Sequence, residues 1–109
     1  MASHFELIHH PQASEDFRQS EAYFTDIDED LARLFRADFQ TALRGISSGK
    51  LKGQLLTSGQ TIRWVKLARF SHKVFFDPDG LTRLLVLGVI SGRRHPTRIR
   101  LLLRRRLPS

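Results

Sequence analysis

The segment Ser91-Gly92-Arg93-Arg94-His95-Pro96 sets two guanidiniums and an imidazole side by side in a turn. It follows directly on nine residues, Thr82 to Ile90, that are apolar on both alternating faces, as in a strand buried on both sides. From Thr82 to Arg106 the chain holds eight arginines and no carboxylate. Fixed positive charge of this density on a stiff support favours a phosphate backbone, an acidic protein partner, or both. His95 is the group in that turn able to exchange a proton near neutral pH, and Lys66 and Lys73 add ammonium groups on two shorter strand-like segments upstream. Each has a plainer reading: Arg93 and Arg94 as solvated turn residues, His95 as an exposed turn histidine, the lysines as the wet side of strands. His9 and His10 are adjacent and diverge on a strand, and cysteine is absent, so neither a metal nor a small-molecule cofactor is expected.

The elements that must position these groups fit a single domain, 1–109, long enough to bury roughly 65% of the surface its unfolded chain would expose. No basic-then-apolar leader and no run of ~18 apolar residues occurs, so a soluble cytoplasmic protein without a membrane partner is expected. The formal charge of +7 is segregated: residues 1–43 carry nine carboxylates against three arginines, and residues 44–109 carry two carboxylates against fifteen Lys and Arg. Segregation of that size points to a polyanionic or acidic partner.

Along the chain, His4 to His9 alternates weakly and reads as a first strand. Pro11 suits the first turn of a helix with Ala13, Phe17 and Phe24 on one side, ending near Thr25. Thr25-Asp26-Ile27-Asp28 then offers capping oxygens to a second helix, whose Leu31, Leu34, Phe35, Phe39, Ala42, Leu43 and Ile46 give the strongest helical period in the sequence. Ser47 to Gln60 reads as a loop with a short extended piece near Leu55, and Thr61–Leu67 and His72–Phe76 read as strands. Asp77-Pro78-Asp79-Gly80 reads as a turn into the long apolar strand. Past Pro96, Ile99, Leu102, Leu103 and Leu107 recur at helical spacing, so residues 97–109 form a basic tail or short helix that docks on the domain with its arginines exposed. The expected fold class is α+β: a two-helix hairpin on an antiparallel or mixed sheet of about four strands, with a short basic C-terminal segment.

In this order the residues resemble the RelE/ParE superfamily, the toxins of bacterial type II toxin-antitoxin systems. The resemblance runs from Phe5 to about Arg100. It is carried by Pro11-Gln12-Ala13 after the first strand, by Val65-Lys66-Leu67 leading to His72-Lys73-Val74-Phe75-Phe76, and by Val86-Leu87-Gly88-Val89-Ile90-Ser91-Gly92-Arg93-Arg94. It implies a growth-inhibiting toxin neutralised by direct binding of a cognate antitoxin, with DNA gyrase or ribosome-bound mRNA as target. Metal-free RNA cleavage needs a base, an acid for the leaving oxygen, and cations for the charge that develops. The resemblance places Lys66, Lys73 and Arg94 where RelE-like proteins use basic residues on RNA, with His95 nearby.

Two departures weigh towards the gyrase-directed branch. Tyr23, on the first helix, is the only tyrosine, so the C-terminal tyrosine of RelE-like toxins has no counterpart, and Trp64 stands where they carry a second lysine. The run Leu87 to Arg94 looks more ParE-like, although Ser91 replaces the histidine common there. Two rivals stand beside this reading: a non-toxic basic RNA-binding accessory protein, and an inactive relative that only forms the antitoxin complex.

Overall fold

Two His-Pro dipeptides start helices by the same device. In the computed structural model, which describes residues 4–108, the Nδ1 of His10 accepts from the Gln12 amide at 3.0 Å, and the Nδ1 of His95 accepts from the Thr97 amide at 3.2 Å. Each imidazole satisfies one orphan amide of a first turn, and the proline that follows has no N–H to leave unpaired. The ends of the expected 1–109 domain, residues 1–3 and 109, lie outside the described residues.

The elements follow as β1 (Glu6–His9), α1 (Pro11–Ile27), α2 (Glu29–Ser47), β2 (Gln54–Leu55), β3 (Arg63–Lys66), β4 (His72–Asp79), β5 (Arg83–Ser91) and α3 (Pro96–Arg106). The α+β class is as expected, but the sheet has five strands rather than about four, in the order β1-β5-β4-β3-β2. It is mixed: β1 runs parallel to β5, and the other neighbours are antiparallel. The added strand is the two-residue β2, where the sequence predicts the short extended piece near Leu55; it pairs with Trp64 and Arg63 of β3.

Asp28 alone separates the helices of the hairpin. Its amide closes α1 on the Phe24 carbonyl at 2.8 Å, and its Oδ1 accepts from the Asp30 amide at 2.8 Å to open α2, which carries α1 two residues past the expected end at Thr25. The period of α2 delivers Phe35, Phe39, Ala42 and Ile46 into the core, where Phe35 stacks on Phe17 and meets Phe24 and Phe70 at centroid distances of 5.1 to 5.6 Å. This hairpin covers the sheet face bearing Val74, Phe76, Val86 and Val89. The opposite face, with Ile62, Phe75, Leu87 and Ile90, is covered by Ile99 and Leu103 of α3. Layers on both sides explain why β5 is apolar on both alternations.

β4 runs through Asp77-Pro78-Asp79, so the expected turn shrinks to the residues around Gly80, whose φ of 80° is the left-handed conformation glycine tolerates. β3 covers β4 only as far as Phe76; beyond it β4 has β5 as its one neighbour, and Pro78 is tolerated as on an edge strand. Phe75 faces Gly88 while Phe76 faces Val86, leaving Leu87 as the extra residue of a β-bulge.

The tail forms the helix α3, and one of its arginines corrects the expectation that all are exposed. β1 pairs with β5 only up to Val86, so the outer edge of β5 lies open beyond it. Arg106, 8% exposed, donates from Nη1 to the Leu87 carbonyl at 2.9 Å, and Asp16 of α1 accepts from the Val89 amide at 3.1 Å. The two side chains bind each other in a bidentate pair at 2.6 and 3.1 Å. Together they replace a missing strand along that edge. Gly88 makes room for them: a Cβ there would stand 2.8 Å from Arg106 Nη1 and 3.1 Å from Asp16 Oδ2.

Candidate functional site

Antiparallel register brings the end of β3, the start of β4 and the end of β5 to one end of the sheet. Lys66 lies opposite Lys73, Lys73 opposite Ile90, and His72 opposite Ser91. The loop between β3 and β4 is fixed there by Asp38, a buried α2 carboxylate that accepts from the Arg69 amide at 2.8 Å and from its guanidinium at 2.7 and 3.0 Å. These bonds from Arg69 hold the Asp38 carboxyl below its ordinary range. The Gly92 amide donates to the Ser71 carbonyl at 2.9 Å, and Ser91 accepts at its carbonyl from Arg94 N and at its hydroxyl from Arg93 N. Position 92 is held to glycine by contact, since a Cβ would lie 2.6 Å from the Ser71 oxygen. The turn that carries the arginines is thus pinned to the neighbouring loop.

All five residues singled out from the sequence sit at this end, but on two faces. Strand alternation sets Lys66 and Lys73 on the α3 side with Trp64 and Phe75. Both ammonium groups are engaged: Lys66 Nζ donates to the Leu67 carbonyl at 2.9 Å, and Lys73 Nζ lies 4.2 Å from the centroid of the Trp64 ring. Arg93 and Arg94 instead line a cleft of about 590 Å³ beside α1, and neither makes an ion pair among the described residues. His95 lines no part of that cleft, and its Nδ1 is committed to capping α3, which leaves only Nε2 to address a substrate.

The cleft contains a histidine that sequence reasoning passed over. His72 packs edge-on against Phe35 and Phe24, with centroids 5.0 and 5.7 Å away, and its Nε2 stands 3.3 Å from the Ser20 hydroxyl of α1. Burial pushes the imidazole below its usual value and the Arg94 charge pushes it further, so it is neutral at neutral pH. Its Nδ1 is buried without a hydrogen-bond partner. A signal was present: His72 alternates with Val74 and Phe76, the face turned to the helical hairpin. Ser20 and Arg69 had no such signal, because their placement depends on packing between elements far apart in sequence.

The arrangement can hold negative charge. Asp16 is the one carboxylate lining the cleft, and it is spent on Arg106 and the Val89 amide; Arg69 is matched by Asp38. Among the described residues, no carboxylate compensates the guanidiniums of Arg93 and Arg94. Among the described residues no three His, Asp or Glu side chains cluster as a metal site, and no helix is long and apolar enough to cross a membrane. The sequence matches no protein-family model, and no curated protein is significantly similar to it.

Proposed function

We propose that this chain is the toxin of a type II toxin-antitoxin pair of the RelE/ParE kind, acting in the cytoplasm and silenced by direct binding of a cognate antitoxin. The observation that carries the reading is the placement of β5. It lies inside the sheet, between β1 and β4, and ends in a pinned turn that presents Arg93 and Arg94 at the same sheet end as Lys66 and Lys73 but on the other face, with Asp38 of α2 and Asp16 of α1 already paired to Arg69 and Arg106. A rigid cationic end of this kind suits a target that carries phosphate, and a host machine bound to nucleic acid is such a target.

DNA gyrase is the target we favour over ribosome-bound mRNA. Cleavage of RNA needs free proton-exchanging groups. Here the His95 Nδ1 caps a helix and His72 is half-buried with its Nε2 on the Ser20 hydroxyl, while both lysines are engaged with neighbouring groups. If the chain is an enzyme, it is a metal-independent endoribonuclease that uses Lys66, Lys73, Arg94 and the free Nε2 of His95.

Induced expression with and without the adjacent open reading frame tests the toxin reading. Growth arrest relieved by a small acidic neighbour is the expected result, and unimpaired growth counts against it. Purified protein should inhibit gyrase supercoiling and leave ribosome-bound message intact; codon-register cuts would move it to the nuclease branch. Replacing Arg93 and Arg94 together by Ala should abolish toxicity and preserve the fold, since both are exposed.

A further inference from the structure

We infer that the cleft between α1 and the Ser91–Arg94 turn is a nucleotide-binding site, with Arg93 and Arg94 for the phosphate and the Tyr23 ring for the base. This does not rest on the toxin reading, because a protein could engage gyrase through the sheet end without holding a nucleotide here. The cleft, about 590 Å³, is of the size that takes a small ligand. Its charge selects an anion, since the one carboxylate among its lining residues is consumed by Arg106 while two guanidiniums make no ion pair among the described residues. Planar guanidiniums match phosphate oxygens in a bidentate fork.

The apolar wall selects what the anion is attached to. Tyr23 is 64% exposed and meets the edge of Phe24 at a centroid distance of 5.3 Å, so its outer face stands in water with Ile27, 58% exposed, beside it. An aromatic left in solvent at the lip of an anion site is a platform on which a base can stack. The hydroxyls of Ser20, Ser71 and Ser91 line the same cleft, the last two 3.4 Å apart, and such groups suit a sugar. A ring, hydroxyls and a paired cationic end in one cleft describe a nucleoside monophosphate, free or as the end of a strand.

The test is titration of the purified full-length chain with 5′-AMP, 5′-UMP, inorganic phosphate and a short oligoribonucleotide, followed by amide NMR shifts. Saturable binding of the mononucleotides is expected, with shifts at Ser20, Tyr23, Ser71 and Arg94. Arg94→Ala should weaken every phosphate ligand by about 10-fold or more. Tyr23→Ala should weaken the nucleotides by about 5-fold or more and leave inorganic phosphate unchanged. Tighter binding of the oligoribonucleotide than of the mononucleotides, with the same dependence on both residues, assigns the site to a strand end rather than a free nucleotide. Both side chains are exposed, and an unchanged melting temperature verifies the fold of each variant. Three results would each overturn the inference: no saturable binding in the millimolar range, inorganic phosphate binding as tightly as the nucleotides, or an equal loss in the remote double variant Arg98→Ala/Arg100→Ala.

Discussion

Replacing Arg106 by alanine removes one half of the pair that closes the open edge of β5. Arg106 makes three hydrogen bonds through its guanidinium, two to Asp16 and one to the Leu87 carbonyl, with its side chain 7% exposed and that of Asp16 17% exposed. The alanine variant leaves a nearly buried carboxylate without its cation and a strand carbonyl without a donor. Breaking a buried pair from one side costs about 3–5 kcal/mol. A domain of this length has roughly 5–15 kcal/mol in total, so the loss is a large fraction of it. The melting temperature should fall by roughly 15 °C, and the urea midpoint should shift to match. Arg106→Lys should recover only part, because an ammonium cannot reproduce the fork. In the cycle with Asp16→Ala, the double variant should lose less than the sum of the singles by about 1–3 kcal/mol. An Arg106→Ala protein within about 0.5 kcal/mol of the parent, the range of ordinary surface substitutions, would refute the account of the edge.

Gly88→Ala should act on the same pair from the strand side, pushing the guanidinium off its acceptors at a cost of about 1–3 kcal/mol by thermal melting, and an unchanged melting temperature would show that the pair can slide aside. His72 makes stability acid-sensitive: its folded value lies below its unfolded one, so its full contribution is present above about pH 6.5 and declines as pH falls below that. Melting temperatures between about pH 8 and pH 5 should decline less in His72→Phe than in the parent, and parallel profiles would remove His72 as the cause. His95→Ala should loosen α3 by about 0.5–2 kcal/mol through loss of the cap, read as faster amide exchange at Thr97 and Arg98, while toxicity persists; abolished toxicity with α3 intact would make the ring a direct participant.

The parts of the fold that were legible are those written in local pattern. The period of α2, the Asp28 link and the two-sided apolarity of β5 each correspond to an element of the structure. The differences have physical causes. Asp-Pro-Asp-Gly has the composition of a turn, but the ladder with β5 holds its first three residues extended, and the sheet allows it because β3 stops short. The short extended piece expected near Leu55 is a true strand, β2, but at two residues it carries no period, so its pairing with β3 could not be counted as a fifth strand. Arg106 looked like one more solvated arginine among five on its helix, because its burial depends on a carboxylate ninety positions earlier. The site was read as a cluster of charge, and the division of that charge between two faces follows from strand parity. The cleft itself, and His72 within it, arise where α1 crosses the end of the sheet. That crossing is a tertiary fact.

The single residue between α1 and α2 has a consequence for how the domain tolerates change. Because Asp28 terminates one helix and begins the next with no intervening loop, the angle between the two is set by one pair of backbone torsions. Lengthening the connection by even one residue would rotate the register of α2 against α1 and pull Phe35 and Phe39 away from Phe17. Cutting, tagging or grafting at this exposed corner should therefore disrupt the molecule far more than its accessibility suggests, whereas the glycine-bearing stretch around Gly59 should accept such insertions.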